Sequence, residues 1–187
     1  DTLEADANVI LTAAGDTAIT NDAAFALQGA VTGTLAATAT TGDITDSDTL
    51  TVSGASVFTL GADGSNISLD SAANAFSGAV TLKAGSSGGQ TFGNIVFVDS
   101  GAIDFDSAAS ADGDLFLDGG TDNTVGGTLS VTATAGGITD SATIAVTGDL
   151  TLNDVATAGI TLDTLEADAN VILTAAGDTA ITNDAAL

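Results

Sequence analysis

Pairs of aliphatic or aromatic residues two positions apart recur along the whole chain. They include Leu50/Val52, Phe58/Leu60, Val80/Leu82, Leu129/Val131, Ile144/Val146, Leu150/Leu152 and Val171/Leu173. A period of two is that of a strand with one face in a core. Turn residues separate the runs: Gly54, Gly78, Gly126-Gly127 and Gly148, with the pairs Gly42-Asp43, Gly93-Asn94 and Gly113-Asp114. Glycine supplies positive φ at such places, and Asx side chains bond back to the turn backbone. From Ile138 onward the pattern predicts three short strands. These are Ile138-Thr139, then Thr143–Thr147 with Ile144 and Val146 inward, then Asp149–Asn153 with Leu150 and Leu152 inward.

The alternation is nested in two longer periods. Residues 1–24, DTLEADANVILTAAGDTAITNDAA, return letter for letter at 163–186, an offset of 162. The chain therefore reads as one continuous segment, with 1–162 as one tandem repeat and 163–187 as the start of the next. Inside that period an aliphatic residue followed by Asp within four positions recurs at Ile19, Ile44, Ile67, Ile95, Leu115, Ile138, Ile160 and Ile181. Those intervals divide the period into seven units of about 23 residues. Thr34–Gly54 and Thr128–Gly148 match at 13 of 21 positions with an offset of 94, which on this register is four units and places them equivalently. A sandwich also has short strands and frequent turns. A fixed supersecondary period with in-phase apolar columns instead favours a solenoid, in which each unit pairs with the next. The expected fold is all-β: a right-handed parallel β-helix (β-solenoid) of about seven coils of ~23 residues per 162-residue tandem repeat. Each coil adds about 4.8 Å, so one repeat rises about 34 Å.

The text GGTLSVTATAGGITDSATIAVTGDLTL, with its G-x-L-x-V-x-A and I-T-D-S elements, resembles the repeat regions of filamentous-haemagglutinin-type and autotransporter-type bacterial adhesins. That resemblance implies a segment of a large secreted surface protein built as a parallel β-helix. It carries no functional residue onto this chain.

Composition narrows the chemistry. One cation, Lys83, stands against 25 acidic residues, for a net charge of −24, and the chain lacks Arg, His, Cys, Met, Trp, Tyr and Pro. Phosphate backbones and anionic membrane surfaces need Lys and Arg, so neither nucleic acid nor a membrane is an expected partner. No apolar run approaches the length of a membrane-spanning helix. Without His, Cys, Tyr or Arg, the usual general acid–base groups, nucleophiles and oxyanion partners are missing, and no enzyme is expected. Asp104/Asp106 and Asp112/Asp114, spaced to share a strand face, are the only glycosidase-like pairs weighed for a polysaccharide-degrading β-helix.

Calcium is the one cofactor considered. It takes six to eight oxygens, often from several Asp, and the densest group is Asp104, Asp106, Asp112, Asp114, Asp118 and Asp122, with Asp99 beside it. Neither an EF-hand nor the nonapeptide calcium repeat is present, so the ordinary reading is an acidic face with Asx turns. Carboxylates stacked at 4.8 Å would repel by roughly 0.9 kcal/mol each in water, which calls for screening. Lys83 is expected to form an ion pair or an isopeptide bond with Asp63 or Asp70. Thr38/Thr40 and Thr132/Thr134 give the T-x-T pairs of ice-binding solenoids. The expected role is a structural or adhesive segment of an extracellular filament or cell-surface stalk, whose partners are further copies of itself and a host or neighbouring cell surface. The alternative is a module that binds sugar, a receptor or ice, with the long Ile67–Asn94 coil as the place to look.

Overall fold

The computed structural model describes residues 8–85, 90–119 and 124–183. They wind into eight coils. The first two hold β1 (Asn8–Ala13) and β2 (Thr17–Asn21), then β3 (Phe25–Val31) and β4 (Leu35–Ala39). The third holds β5 (Ile44–Val52) and β6 (Ser56–Leu60), and the fourth β7 (Ile67–Leu69), β8 (Ala75–Phe76) and β9 (Val80–Ala84). The fifth carries β10 (Ile95–Asp99), β11 (Ile103–Phe105), β12 (Asp114–Asp118) and β13 (Thr124–Val125). The sixth carries β14 (Leu129–Ala133), β15 (Ile138–Asp140) and β16 (Ile144–Val146). The last two are β17 (Leu150–Asp154) with β18 (Ile160–Ala167), and β19 (Val171–Ala175) with β20 (Thr179–Asn183). Among the described residues there is no helix.

Strand pairing is parallel throughout and builds two sheets around one core. The first runs β1-β3-β5-β7-β10-β14-β17-β19, and the second runs from β2 through β4, β6, β9, β12, β11, β15 and β18 to β16 and β13. The all-β solenoid expected from the alternation is thus what forms. In the first sheet seven steps lead from the first coil to the eighth, through Asn8↔Ala26, Phe25↔Ile44, Ile44↔Ile67, Ile67↔Ile95, Ile95↔Leu129, Leu129↔Leu150 and Leu150↔Val171. The inward column Ile44, Ile67, Ile95, Leu129 and Leu150 is fully buried. Each step also closes a ladder of backbone hydrogen bonds, which leaves few polar main-chain groups unpaired inside.

The coils are less uniform than the sequence periods suggest. Register partners lie 18 residues apart at Asn8↔Ala26 and 34 apart at Ile95↔Leu129. The longest coil is therefore the fifth and not Ile67–Asn94. There the chain runs through β11, folds back over 106–113, and lays β12 between β11 and β9 (Asp104↔Asp114, Leu115↔Val80). Leu115 accordingly begins no coil of its own.

This fold-back also splits the expected single column in two. Ile44, Ile67 and Ile95 stack in the first sheet, whereas Ile103, Ile138 and Ile160 stack in the second. Ile19 lies against Ala37, and Ile181 against Leu162. Thr34–Gly54 and Thr128–Gly148 are consequently not equivalent places: Leu35 is in the second sheet and Leu129 in the first, while Ile44 is in the first and Ile138 in the second. Across the fifth coil the two sheets exchange the sequence pattern they carry. Phenylalanines fill the core beside the exchange. Phe76 meets Phe58 edge-on with ring centroids 5.9 Å apart and stacks on Phe97 at 5.4 Å, and Phe92 and Phe105 are buried nearby.

Glycines hold the coils together at two corners, Gly33 and Gly54 where the chain leaves the first sheet for the second, Gly127 and Gly148 where it returns. A Cβ on Gly54 would lie 2.7 Å from the Gly33 carbonyl oxygen, and one on Gly148 would lie 2.5 Å from that of Gly127. Coil spacing is set by backbone there, so no side chain fits.

Candidate functional site

The acidic residues are engaged in a way that composition does not reveal. Just ahead of the inward column, Asp43 Oδ1 accepts the Asn66 backbone N–H at 2.8 Å, Asn66 Oδ1 accepts that of Asn94 at 2.7 Å, and Asn94 Oδ1 accepts that of Thr128 at 2.9 Å. Asp149 repeats the contact with the Asn170 N–H at 3.2 Å. Each acceptor sits one residue before a buried aliphatic, so the alternation that points Ile44 inward presents Asp43 to the neighbouring turn. Corner residues follow the same rule. Asp46 accepts from the Asp70 and Ser71 backbone N–H groups, both at 3.0 Å, and from Asn74 Nδ2 at 2.6 Å. Its ITDS counterpart Asp140 accepts from the Asp163 and Thr164 N–H groups at 2.7 and 2.9 Å. These carboxylates thereby satisfy backbone donors of the following coil, for Asp140 at the register shift between Leu162 and Leu165.

Electrostatics follow from the bonding. The Thr34 backbone N–H holds the Asp16 carboxyl below the ordinary carboxylate range, and that of Thr91 does the same for Asp63. Asp99 goes the other way. Only 3% exposed, it is pushed up by burial, against the opposing pull of the Phe76, Ser100 and Gly101 N–H groups. It borders a hollow of about 270 Å³ that Phe76, Ala102, Asp112 and Gly113 also line.

Of the six carboxylates weighed for calcium, five lie among the described residues, and these are dispersed among separate tasks. Asp104 accepts from the hydroxyls of Thr139 at 2.9 Å and Ser141 at 2.7 Å. Asp106 accepts from the Ser107 N–H at 2.5 Å. Asp114 is buried and closes the fold-back by accepting from the Ser110 and Ala111 N–H groups at 2.9 and 2.6 Å. Asp112 stands exposed in the turn before β12, so Asp112 and Asp114 do not share a strand face. Asp118 pairs with Lys83, and Asp122 lies outside the described residues. Among the described residues no three acidic groups gather as a metal site would require.

Lys83 thus finds Asp118 rather than Asp63 or Asp70, because the long coil lays Asp118 directly beside it in the sheet. The two T-x-T pairs do not form one array, since Thr38 is in the second sheet and Thr132 in the first. Sequence reasoning placed Asp99 beside the acidic group and Asn94 in a turn, but did not find the acceptor role of Asn66 and Asn94. For the two asparagines a signal was available: an Asx immediately before each inward isoleucine.

Comparisons with known proteins add one result. A family described as repeats of unknown function (DUF5649) matches residues 14–83 and 107–176, together about three quarters of the chain. No curated protein and no solved structure matches. The two matched stretches start 93 residues apart, close to the offset that carries a sequence pattern from one sheet to the other.

Proposed function

The chain belongs to the DUF5649 repeats of unknown function, and we propose that it serves as a structural or adhesive segment of an extracellular filament or cell-surface stalk, without catalysis. The observation that carries this reading is the return of one sequence in one structural setting. Residues 9–13 and 171–175 both form strands of the first sheet, and residues 17–21 and 179–183 both form strands of the second. A translation of 162 residues therefore maps the solenoid onto itself, and successive repeats extend a rod. Nearest-neighbour pairing makes the stability of such a rod grow with its length. A net charge of −24 keeps neighbouring rods from bundling.

Electron microscopy of native material tests this. The expected image is a thin fibre with an axial repeat of about 34 Å. Globular particles of fixed size would sink the proposal.

A second reading, a module that binds a sugar or a surface receptor, draws support from the fifth coil. Its fold-back strand and the hollow beside Asp99 and Asp112 are the one place where the described coils depart strongly from the repeat. Binding to a glycan array that Asp112→Asn abolishes would favour it over a passive rod.

A further inference from the structure

We infer that the hollow at the corner of the fifth coil seats a lysine side chain of a partner protein, with Asp99 as its counter-charge. The inference rests on the second reading, in which this hollow binds a surface ligand, and it names the group bound.

The seat begins with the alternation of β10. Ile95, Phe97 and Asp99 all point inward, so the strand ends by carrying a carboxylate into an inward position. Register sets Asp99 beside Ala133, and Ala133 beside Asp154, which is likewise buried. The two carboxylates are completed differently. Asp154 engages both oxygens, Oδ1 accepting the Ala156 N–H at 2.9 Å and Oδ2 that of Gly159 at 2.6 Å. Asp99 takes the Phe76 and Ser100 N–H groups, each at 2.8 Å, both on Oδ1. The Gly101 N–H adds only the weakest pull on it. A Cβ placed on Gly101 would lie 3.1 Å from Asp99 Oδ2 and 4.0 Å from its carboxyl carbon, and would meet nothing else. Oδ2 therefore borders open space.

Charge decides what fills that space. Burial pushes the Asp99 carboxyl up despite its N–H partners, as it does for a carboxylate without a counter-ion. Exposed Asp112 adds a second negative charge to the lining. The chain cannot neutralise either one, because its only basic side chain, Lys83, pairs with Asp118. A positive group must come from another molecule. At about 270 Å³ the hollow suits a side chain rather than a drug-sized ligand. Calcium would want six to eight oxygens, and among the described residues no third acidic group joins the two. Oδ1 already carries two N–H groups, so a guanidinium fork, which needs both oxygens, fits less well than a single-point ammonium. Phe76 and Ala102 supply an apolar wall for the methylene stem of lysine.

The test uses the full chain at constant ionic strength, which holds diffuse attraction of cations to a −24 surface fixed. Amide NMR shifts are followed as Nα-acetyl-lysinamide is added. Saturable shifts confined to the surroundings of Ala102 and Gly113 are expected, and the uncharged Nα-acetyl-norleucinamide should produce none. Gly101→Ala has no left-handed φ to strain and places a methyl against Oδ2, so it should abolish the shifts. Asp99→Asn keeps an acceptor for the Phe76 and Ser100 N–H groups and should weaken binding about thirtyfold. Asp112→Asn should weaken it about threefold. If one of the first two variants loses its β signal in circular dichroism, the other carries the test. Shifts that survive Gly101→Ala or Asp99→Asn, or equal shifts with norleucinamide, would overturn the seat. So would tighter binding of Nα-acetyl-argininamide, glucosamine or calcium chloride than of the lysine probe. Glycan binding lost in Asp112→Asn yet intact in Gly101→Ala would sink the lysine seat and keep the reading it rests on.

Discussion

The same fourteen residues occupy both ends of the described solenoid, and they are not equally well held. In the N-terminal copy Leu11 and Asn21 are buried; in the C-terminal copy their equivalents Leu173 and Asn183 are only partly covered. Gly15 has open space where a Cβ would go, while its counterpart Gly177 is pressed against the Thr157 carbonyl. Sequence is constant here, so every difference comes from which side the neighbouring coil lies on. In a solenoid a residue's surroundings belong to the interface between coils as much as to the coil itself.

Severing one interface at a time breaks the comparison most strongly. Gly29→Ala combines a left-handed φ with a clash against the Leu11 carbonyl, and should loosen only the N-terminal copy, at roughly 2–5 kcal/mol. Gly159→Ala, at a φ of 96° and 2.1 Å from the Asp178 carbonyl oxygen, should loosen only the C-terminal copy by a similar amount. Hydrogen exchange resolved by peptide reads each end separately. Equal loss of protection at both ends in either variant would mean that the solenoid opens as one unit.

The next contrast uses the same substitution twice. Gly177→Ala forces a Cβ to within 2.5 Å of the Thr157 carbonyl oxygen and should cost about 1–3 kcal/mol. Gly15→Ala meets nothing and should be neutral or stabilise by about 0.4–1 kcal/mol through the unfolded chain. Urea melts of the two variants that coincide would show that the glycine corner does not set coil spacing.

The smallest effect is electrostatic and sharpens the comparison by pH. Asp16 has its carboxyl lowered by the Thr34 N–H, so its contribution is present above the ordinary carboxylate range. It is lost as pH falls through the lowered value. Protection of residues 8–21 should therefore decline in that acid window, and Asp16→Asn should abolish the decline. An acid decline that persists in Asp16→Asn would place the titration elsewhere.

Much of this architecture was legible in the residues. The pairs Ile44/Ile67 and Ile138/Ile160 do stack, and seven steps do separate the two copies of the repeat. ITDS performs one task in both places, since Asp46 and Asp140 each accept two successive backbone N–H groups of the following coil. What could not be read was that these two motifs lie in opposite sheets. Both sheets present the same inward alternation to one core, so the sequence carries no label for either. The partners of the acidic stretch were hidden for a related reason. Asp104, Asp114 and Asp118 are close along the chain, but hydroxyls, turn amides and Lys83 claim them one by one.

By itself the sequence determined strand, turn and long period, because alternation, glycine turns and exact repetition are local or self-referential properties. Tertiary structure alone decided coil lengths, the exchange of sheets at the fold-back, and which carboxylate meets which N–H. Those depend on pairing between strands 10 to 35 residues apart. Apolar columns of nearly equal quality permit several registers, and only the packed core, with Phe58, Phe76 and Phe97 in contact, selects one of them.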